Sequence, residues 1–334
     1  MRLQRIAAGL GVALVLASGV TACTPTPIVA IPSVSQIAGG TPIKVGTPAV
    51  PDGAVPLEGA LLANVYAAAL NAAGVMAVVS PEDPKDPTLL GQLENGAVDI
   101  VPSYSSTVLD ALASANPQPS ASPSTSAASS AVNNAVSSSQ VLNALESALP
   151  PSVSMANATS AEDDDNLVVT TVTAEKYQLK TIADLAKVCD KLVFGGSAEF
   201  RTKVRGLPTL ATDYNCIPQR YVELPNTYSE LLLALLRADV QVADIHSSSP
   251  AISDNDLVVL TDNRQIFRPQ TVVPLVSSKH VSEDVTNVLN KVSAVLNSDE
   301  LINLNRLSSE SQFGSLSEVA TAWLVEVGLI KATS

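Results

Sequence analysis

From residue 43 onward, short apolar runs alternate with segments in which apolar residues recur every three or four positions. The runs predict strands at Ile43–Gly46, Met76–Val79, Val98–Val101 and Asn166–Val172. Further strands are predicted at Leu192–Phe194, Tyr221–Leu224, Val242–Ile245, Leu257–Leu260 and Thr271–Val276. The periodic segments predict helices. Over Leu57–Ala73 the residues Leu61, Val65, Ala68 and Ala69 share one face, and Gly74 stands just past the end, where a left-handed residue closes a helix. The same pattern predicts helices at Leu89–Asn95, Val141–Leu149, Ala174–Tyr177, Thr181–Val188, Leu207–Tyr214 and Ser229–Ala238, and near the end at Glu283–Leu296, Ser298–Ser308 and Ser315–Val327. Strand–helix alternation of this kind predicts an α/β chain with largely parallel sheets.

Three stretches break the rhythm. Residues 116–139 are rich in Ser, Ala and Pro and read as a low-complexity surface insertion, too poor in large apolar residues to form a core. Residues 23–40 read as a flexible tether. Residues 1–22 combine Arg2 and Arg5 with an apolar run from Ile6 to Val20 and small residues before Cys23, the form of a secretory signal rather than of a membrane span. Val20-Thr21-Ala22-Cys23 resembles the bacterial lipobox, in which the cysteine is lipidated and becomes the first residue. This places the body of the protein on the extracytoplasmic face of the cell membrane.

Composition supports a large aliphatic core. Hydrophobic residues make up 46% of the chain and aromatics only 3%, so Ala, Val and Leu must fill the interior. Loss of Arg2 and Arg5 with the signal takes 19 basic residues to 17 against 32 acidic ones, a net −15 for the mature chain. That charge argues against nucleic acid or anionic lipid as the main partner. With Cys23 lipidated, Cys189 and Cys216 remain as an even pair, which in an exported protein favours a disulfide. Each precedes a predicted strand, with a helical segment between.

The segment Ala174-Glu175-Lys176-Tyr177-Gln178-Leu179-Lys180-Thr181-Ile182-Ala183-Asp184-Leu185 is followed by Glu199-Phe200-Arg201-Thr202-Lys203 and Gly206-Leu207-Pro208. Later come Asp256–Asp262, Val273-Pro274-Leu275-Val276, Leu289–Ser293 and Leu304-Asn305. In this order and spacing they resemble the substrate-binding lipoproteins of osmoprotectant ABC importers, which carry glycine betaine, choline, carnitine or proline. The resemblance implies a two-lobed periplasmic-binding-protein-like fold of type II with two crossovers. Lobe one would be 41–170 plus 271–330 and lobe two 171–270, with Asn166–Val172 and Thr271–Val276 as the hinge ladder. It also implies a monomeric receptor for a small polar solute, a membrane permease as partner, and no cofactor or metal.

Val101-Pro102-Ser103-Tyr104-Ser105-Ser106-Thr107 resembles a family segment that supplies a cage tyrosine, with Ser103 and Ser106 replacing a Glu and a Gly. The resemblance makes Tyr104 and Thr107 candidate ligand residues, Tyr104 being otherwise a partly buried tyrosine at a strand end. One of Arg201 and Lys203 is expected to face the cleft, the alternative being solvated charge. His246 and Ser247 follow the strand Val242–Ile245, where the family often has Phe; His246 would replace an aromatic wall or donate a hydrogen bond, or stand alone on the surface. Tyr228 and Phe267 are further candidate rings. The loop Pro48–Gly53 departs most, having neither the basic residue nor the Phe of the family pattern.

Asp163-Asp164-Asp165 reads as a solvated acidic turn, since no calcium-loop spacing follows. An enzyme is disfavoured: there is no metalloprotease His pair, phosphate loop or Gly-x-Ser-x-Gly elbow. The remaining alternative is an envelope lipoprotein that keeps the binding-protein fold but acts through protein contacts.

Overall fold

In the computed structural model, residues 41–51, 53–80, 89–115, 137–224, 228–309 and 312–331 are described. The predicted signal, the tether with Cys23, and the insertion as far as residue 136 lie outside them. Among the described residues no helix is long and apolar enough to cross a membrane.

Among the described residues, ten strands form two five-stranded sheets. The first holds β1 (Ile43–Gly46), β2 (Ala77–Ser80), β3 (Ile100–Tyr104), β4 (Val153–Met155) and β10 (Val272–Ser277), in the order β2-β1-β3-β10-β4. The second holds β5 (Leu167–Thr170), β6 (Val193–Gly196), β7 (Arg220–Glu223), β8 (Val242–Asp244) and β9 (Leu257–Val259), in the order β7-β6-β8-β5-β9. The sheets are mixed. In each, three parallel strands are joined by an antiparallel return strand, β10 beside β3 and β5 beside β8. That return follows from chain economy: each sheet is closed by the segment that has just crossed from the other.

The crossing is displaced from its expected position. β5 and β10 lie in different sheets and do not pair with each other. Instead the two connecting segments pair just outside them: Glu162 bridges Thr271, Asp163 N–H donates to Gln270 O at 3.0 Å, and Val272 N–H donates to Ala161 O at 3.0 Å. The apolar run Leu167–Val169 pulls β5 into the second sheet, where all three residues are buried.

The first core packs the helix Glu58–Ala72 against Glu283–Val295 and Leu316–Glu326, around Leu61, Leu62, Val65, Leu289 and the chain's single tryptophan, Trp323. Trp323 Nε1 donates to Glu300 Oε2 at 2.7 Å, which satisfies its one polar atom. The second core gathers Leu185, Leu192, Phe194, Phe200, Leu210 and Val242 around a disulfide between Cys189 and Cys216, whose Cα atoms are 5.4 Å apart. The bridge ties the lead-ins of β6 and β7, which are parallel neighbours. Helix starts obey local rules: Ser137 and Thr181 form capping boxes with Gln140 and Asp184.

Candidate functional site

In a parallel sheet all the carboxyl ends of the strands point one way, and in an open α/β fold that is where ligands sit. β3 ends at Tyr104 in the first sheet, and β8 ends at Asp244, just before His246, in the second. The crossing segment carries Asp163, Asp164 and Asp165 between them. These residues meet in one buried polar centre.

On the first-sheet side, the Tyr104 hydroxyl donates to Glu58 Oε1 at 2.7 Å. Asn305 Nδ2 donates to the other oxygen of Glu58 at 2.5 Å and to the Ser248 carbonyl of the second lobe at 3.1 Å. On the second-sheet side, the His246 ring lies between two carboxylates. Its Nδ1 is 3.0 Å from Asp163 Oδ2, and its Nε2 is 3.4 Å from Asp165 Oδ1. Lys203 Nζ lies 2.6 Å from the same Asp165 oxygen. Asp163 is therefore the link between the Glu58–Tyr104 half and the His246–Lys203 half.

The charge states follow from the surroundings. Burial, then the nearby Asp163 carboxylate, push Glu58 up to about 8, more than the hydrogen bonds from Asn305, Ser248 and Tyr104 pull it down. Burial, then Asp165, push Asp244 up to about 8. Burial opposes charging of Asp165, but the hydrogen bond and charge of His246, followed by Lys203, outweigh it and hold that carboxyl at about 2. Burial likewise opposes charging of His246, but Asp163 and Asp165 prevail and hold the imidazole well above its usual range. An imidazolium offers two N–H donors, and both find acceptors here. At neutral pH the centre thus contains His246 and Lys203 as cations against an ionised Asp165, with Glu58 and Asp244 mostly protonated.

The lobes meet at this centre and beside it. Gly53, from the loop after β1, sits at φ +96°, and a Cβ there would lie 3.3 Å from both the Asp244 carbonyl and His246 Cδ2. A residue without a side chain lets that loop seat directly on the second lobe. Arg268 pairs with Asp110, and Arg306 Nη2 lies 2.8 Å from Asp254 Oδ1. A groove of about 1050 Å³ runs from Asp165 and Lys203 past Thr107 and Gln270 to Arg264.

The predicted site residues divide accordingly. Tyr104, Lys203 and His246 come together in the centre. Thr107 lines the groove, its N–H donating to Gln270 Oε1 at 3.1 Å. Ser247 grips the crossing segment, donating to Glu162 O at 3.1 Å and accepting from Asp164 N–H at 2.8 Å. Arg201 stands on the surface, 3.3 Å from Glu223, with over half its side chain exposed. Phe267 packs on Phe200, ring centroids 6.0 Å apart, in the second core, and Tyr228 hydrogen-bonds Ser249. The acidic run is not a solvated turn: Asp163 and Asp165 are buried against His246 and Lys203, and Asp164 Oδ1 accepts from Gln270 N–H at 2.7 Å. Glu58, Asp244 and Asn305 were not anticipated.

Residues 53–326 match the OpuAC family, the substrate-binding domain of ABC-type glycine betaine transport systems. The chain belongs to that family. This substrate-binding domain also resembles solved structures. One, of a glycine betaine/carnitine/choline ABC transporter, is 17% identical, with 85% of this chain and 98% of that one covered and a TM-score of 0.68. Apo YehZ from Escherichia coli is 20% identical over 87% of this chain and 100% of its own, TM-score 0.63. Lactococcal OpuAC in its closed form with glycine betaine is 13% identical over 86% and 96%, TM-score 0.53. The fold is therefore the two-lobed, type II binding-protein fold. The family is one of transport receptors rather than enzymes.

Proposed function

We propose that this domain is the lipid-anchored, extracytoplasmic solute receptor of an ABC importer, taking up a small cationic or zwitterionic osmoprotectant of the class of glycine betaine, choline, carnitine or proline. The observation that carries the reading is the polar centre itself: carboxyls and cations brought to the facing ends of two sheets, at the place where the chain crosses between them. In this reading the lobes turn about the paired segments 161–164 and 270–272, open to admit solute from the groove, and close on it. Tyr104 and the carboxyls receive the cationic end, Lys203 and His246 any anionic end, and Thr107 guards the entrance. Lipid on Cys23 keeps the receptor at high effective concentration beside its permease.

Titration calorimetry of the mature chain with the four solutes, together with mass spectrometry of small molecules that copurify, tests the receptor role. Micromolar binding accompanied by compaction in small-angle scattering is expected. A chain that binds none of these solutes and carries none from the cell is not such a receptor. For the anchor, labelled fatty acid is expected to mark the wild type and not Cys23→Ser.

A further inference from the structure

A cation can be held in two chemically different ways. A quaternary ammonium has a methyl shell and no N–H, so aromatic faces hold it and it satisfies no acceptor. A primary or secondary ammonium has N–H donors, and it suits carboxylate and amide oxygens that have none.

The polar centre is built for the second kind. Asp244 is only 1% exposed, and neither oxygen of its carboxyl group has a hydrogen-bond partner. Asp163 Oδ1 and Asn305 Oδ1, also buried, have none. Buried acceptors without donors are uncommon in folded proteins because each forfeits its hydration. The Asp244 side chain is turned to the interlobe contact: its Oδ2 would lie 3.6 Å from a Cβ on Gly53, and it faces Asp165, Lys203 and His246. Four carboxyl groups (Glu58, Asp163, Asp165, Asp244) share the centre with Lys203 and His246, and Glu58 and Asp244 are mostly protonated at neutral pH, so an entering cation is balanced when Asp244 releases its proton to solvent and accepts from the bound N–H. By contrast the Tyr104 ring at the centre has its hydroxyl committed to Glu58, and a single ring does not enclose a methyl shell. Among the described residues no set of three or more His, Cys, Asp or Glu side chains is placed to hold a metal ion.

We infer that this site selects solutes whose cationic nitrogen keeps N–H donors, with Asp244 and Asp163 as the accepting carboxyls, and discriminates against fully methylated ammonium. The inference rests on the receptor reading and narrows its substrate class.

Two matched series test it by calorimetry on the mature wild-type chain: L-proline against its N,N-dimethyl derivative, and glycine through its mono-, di- and trimethyl derivatives. Each lost N–H···carboxylate bond is expected to weaken binding about tenfold or more, so the fully methylated member of each series binds weakest. In Asp244→Asn, shown to be folded by its circular dichroism melt, the discrimination within each series is expected to shrink about tenfold or more. Equal or tighter binding of the trimethyl member overturns the inference and leaves the receptor reading standing. Undiminished discrimination in folded Asp244→Asn overturns the role of that residue. Binding of no member of either series, nor of choline or carnitine, overturns both. The wild-type series decides the selectivity even if the variant does not fold.

Discussion

Replacing Glu58 with Gln removes a titrating proton from the polar centre while keeping the shape of the side chain. In the folded chain Glu58 titrates near 8 rather than 4.5, because burial and Asp163 disfavour its charge. Between those values the unfolded chain has released the proton and the folded chain still holds it. The folded state therefore binds more protons, and stability falls as pH rises through the interval. At about 1.4 kcal/mol per pH unit between the two values, Glu58 costs the wild type about 3 kcal/mol at pH 7 and about 4 kcal/mol at pH 8, relative to pH 4.5. Gln carries no such cost. Its amide still accepts the Tyr104 hydroxyl on one side and turns an N–H toward Asn305, whose Oδ1 is without a partner. The rearrangement costs about 1 kcal/mol at any pH. Urea unfolding from pH 5 to 8.5, followed by fluorescence of Trp323, reads the lobe that contains Glu58, since the helix that begins at Glu58 packs in the same core as Trp323. The stability of Glu58→Gln minus that of wild type is expected to rise by several kcal/mol across this range. A difference that stays flat, or that falls, would refute the assignment of a protonated Glu58.

Three further outcomes follow from other parts of the molecule. Cys189→Ser with Cys216→Ser opens a loop with a sequence separation of 27, which should lower stability by about 3.5 kcal/mol in urea titrations; denatured, unreduced wild type should show neither of these thiols to a thiol reagent. Lys203→Met leaves Asp165 with His246 alone and is expected to cost about 3 kcal/mol at pH 7. The carboxyl is depressed to about 2, so this loss should shrink as pH falls from 3.8 through that value, where protonation removes the pair in the wild type too. Ala238 is exposed and held at φ +61° after the helix Tyr228–Leu236; Ala238→Gly relieves the left-handed strain and should raise the melting free energy by about 0.5–1 kcal/mol.

Local periodicity was enough to find nearly every strand and long helix, because apolar spacing reports directly on which face is buried. The exceptions are the short β4 and the helix Ser105–Ala115, whose serine-rich start hides its period. The site was harder to read, since its partners are distant in sequence: Asp163 meets His246 83 residues on. An aspartate run with no visible counterion reads as solvated, and nothing nearby says otherwise. Two signals were nevertheless present. Glu58 lies three and seven residues before Leu61 and Val65, on the apolar face of its helix, and Asn305 lies four residues after Leu301, on the apolar face of its own. A polar residue on a buried stripe must find a polar partner, and each found the other.

The polar centre shares its residues with the crossing. Asp163 and Asp165 bind its cations, while Asp163 N–H and Asp164 also hold the pairing with Gln270. In the proposed receptor, a change at 163–165 that alters which solute is preferred would also alter how readily the lobes swing, so affinity and gating would not be independent variables there. By the same proposal, residues away from the crossing, Glu58 and Asp244 above all, are where solute preference would change without retuning the motion that releases the cargo.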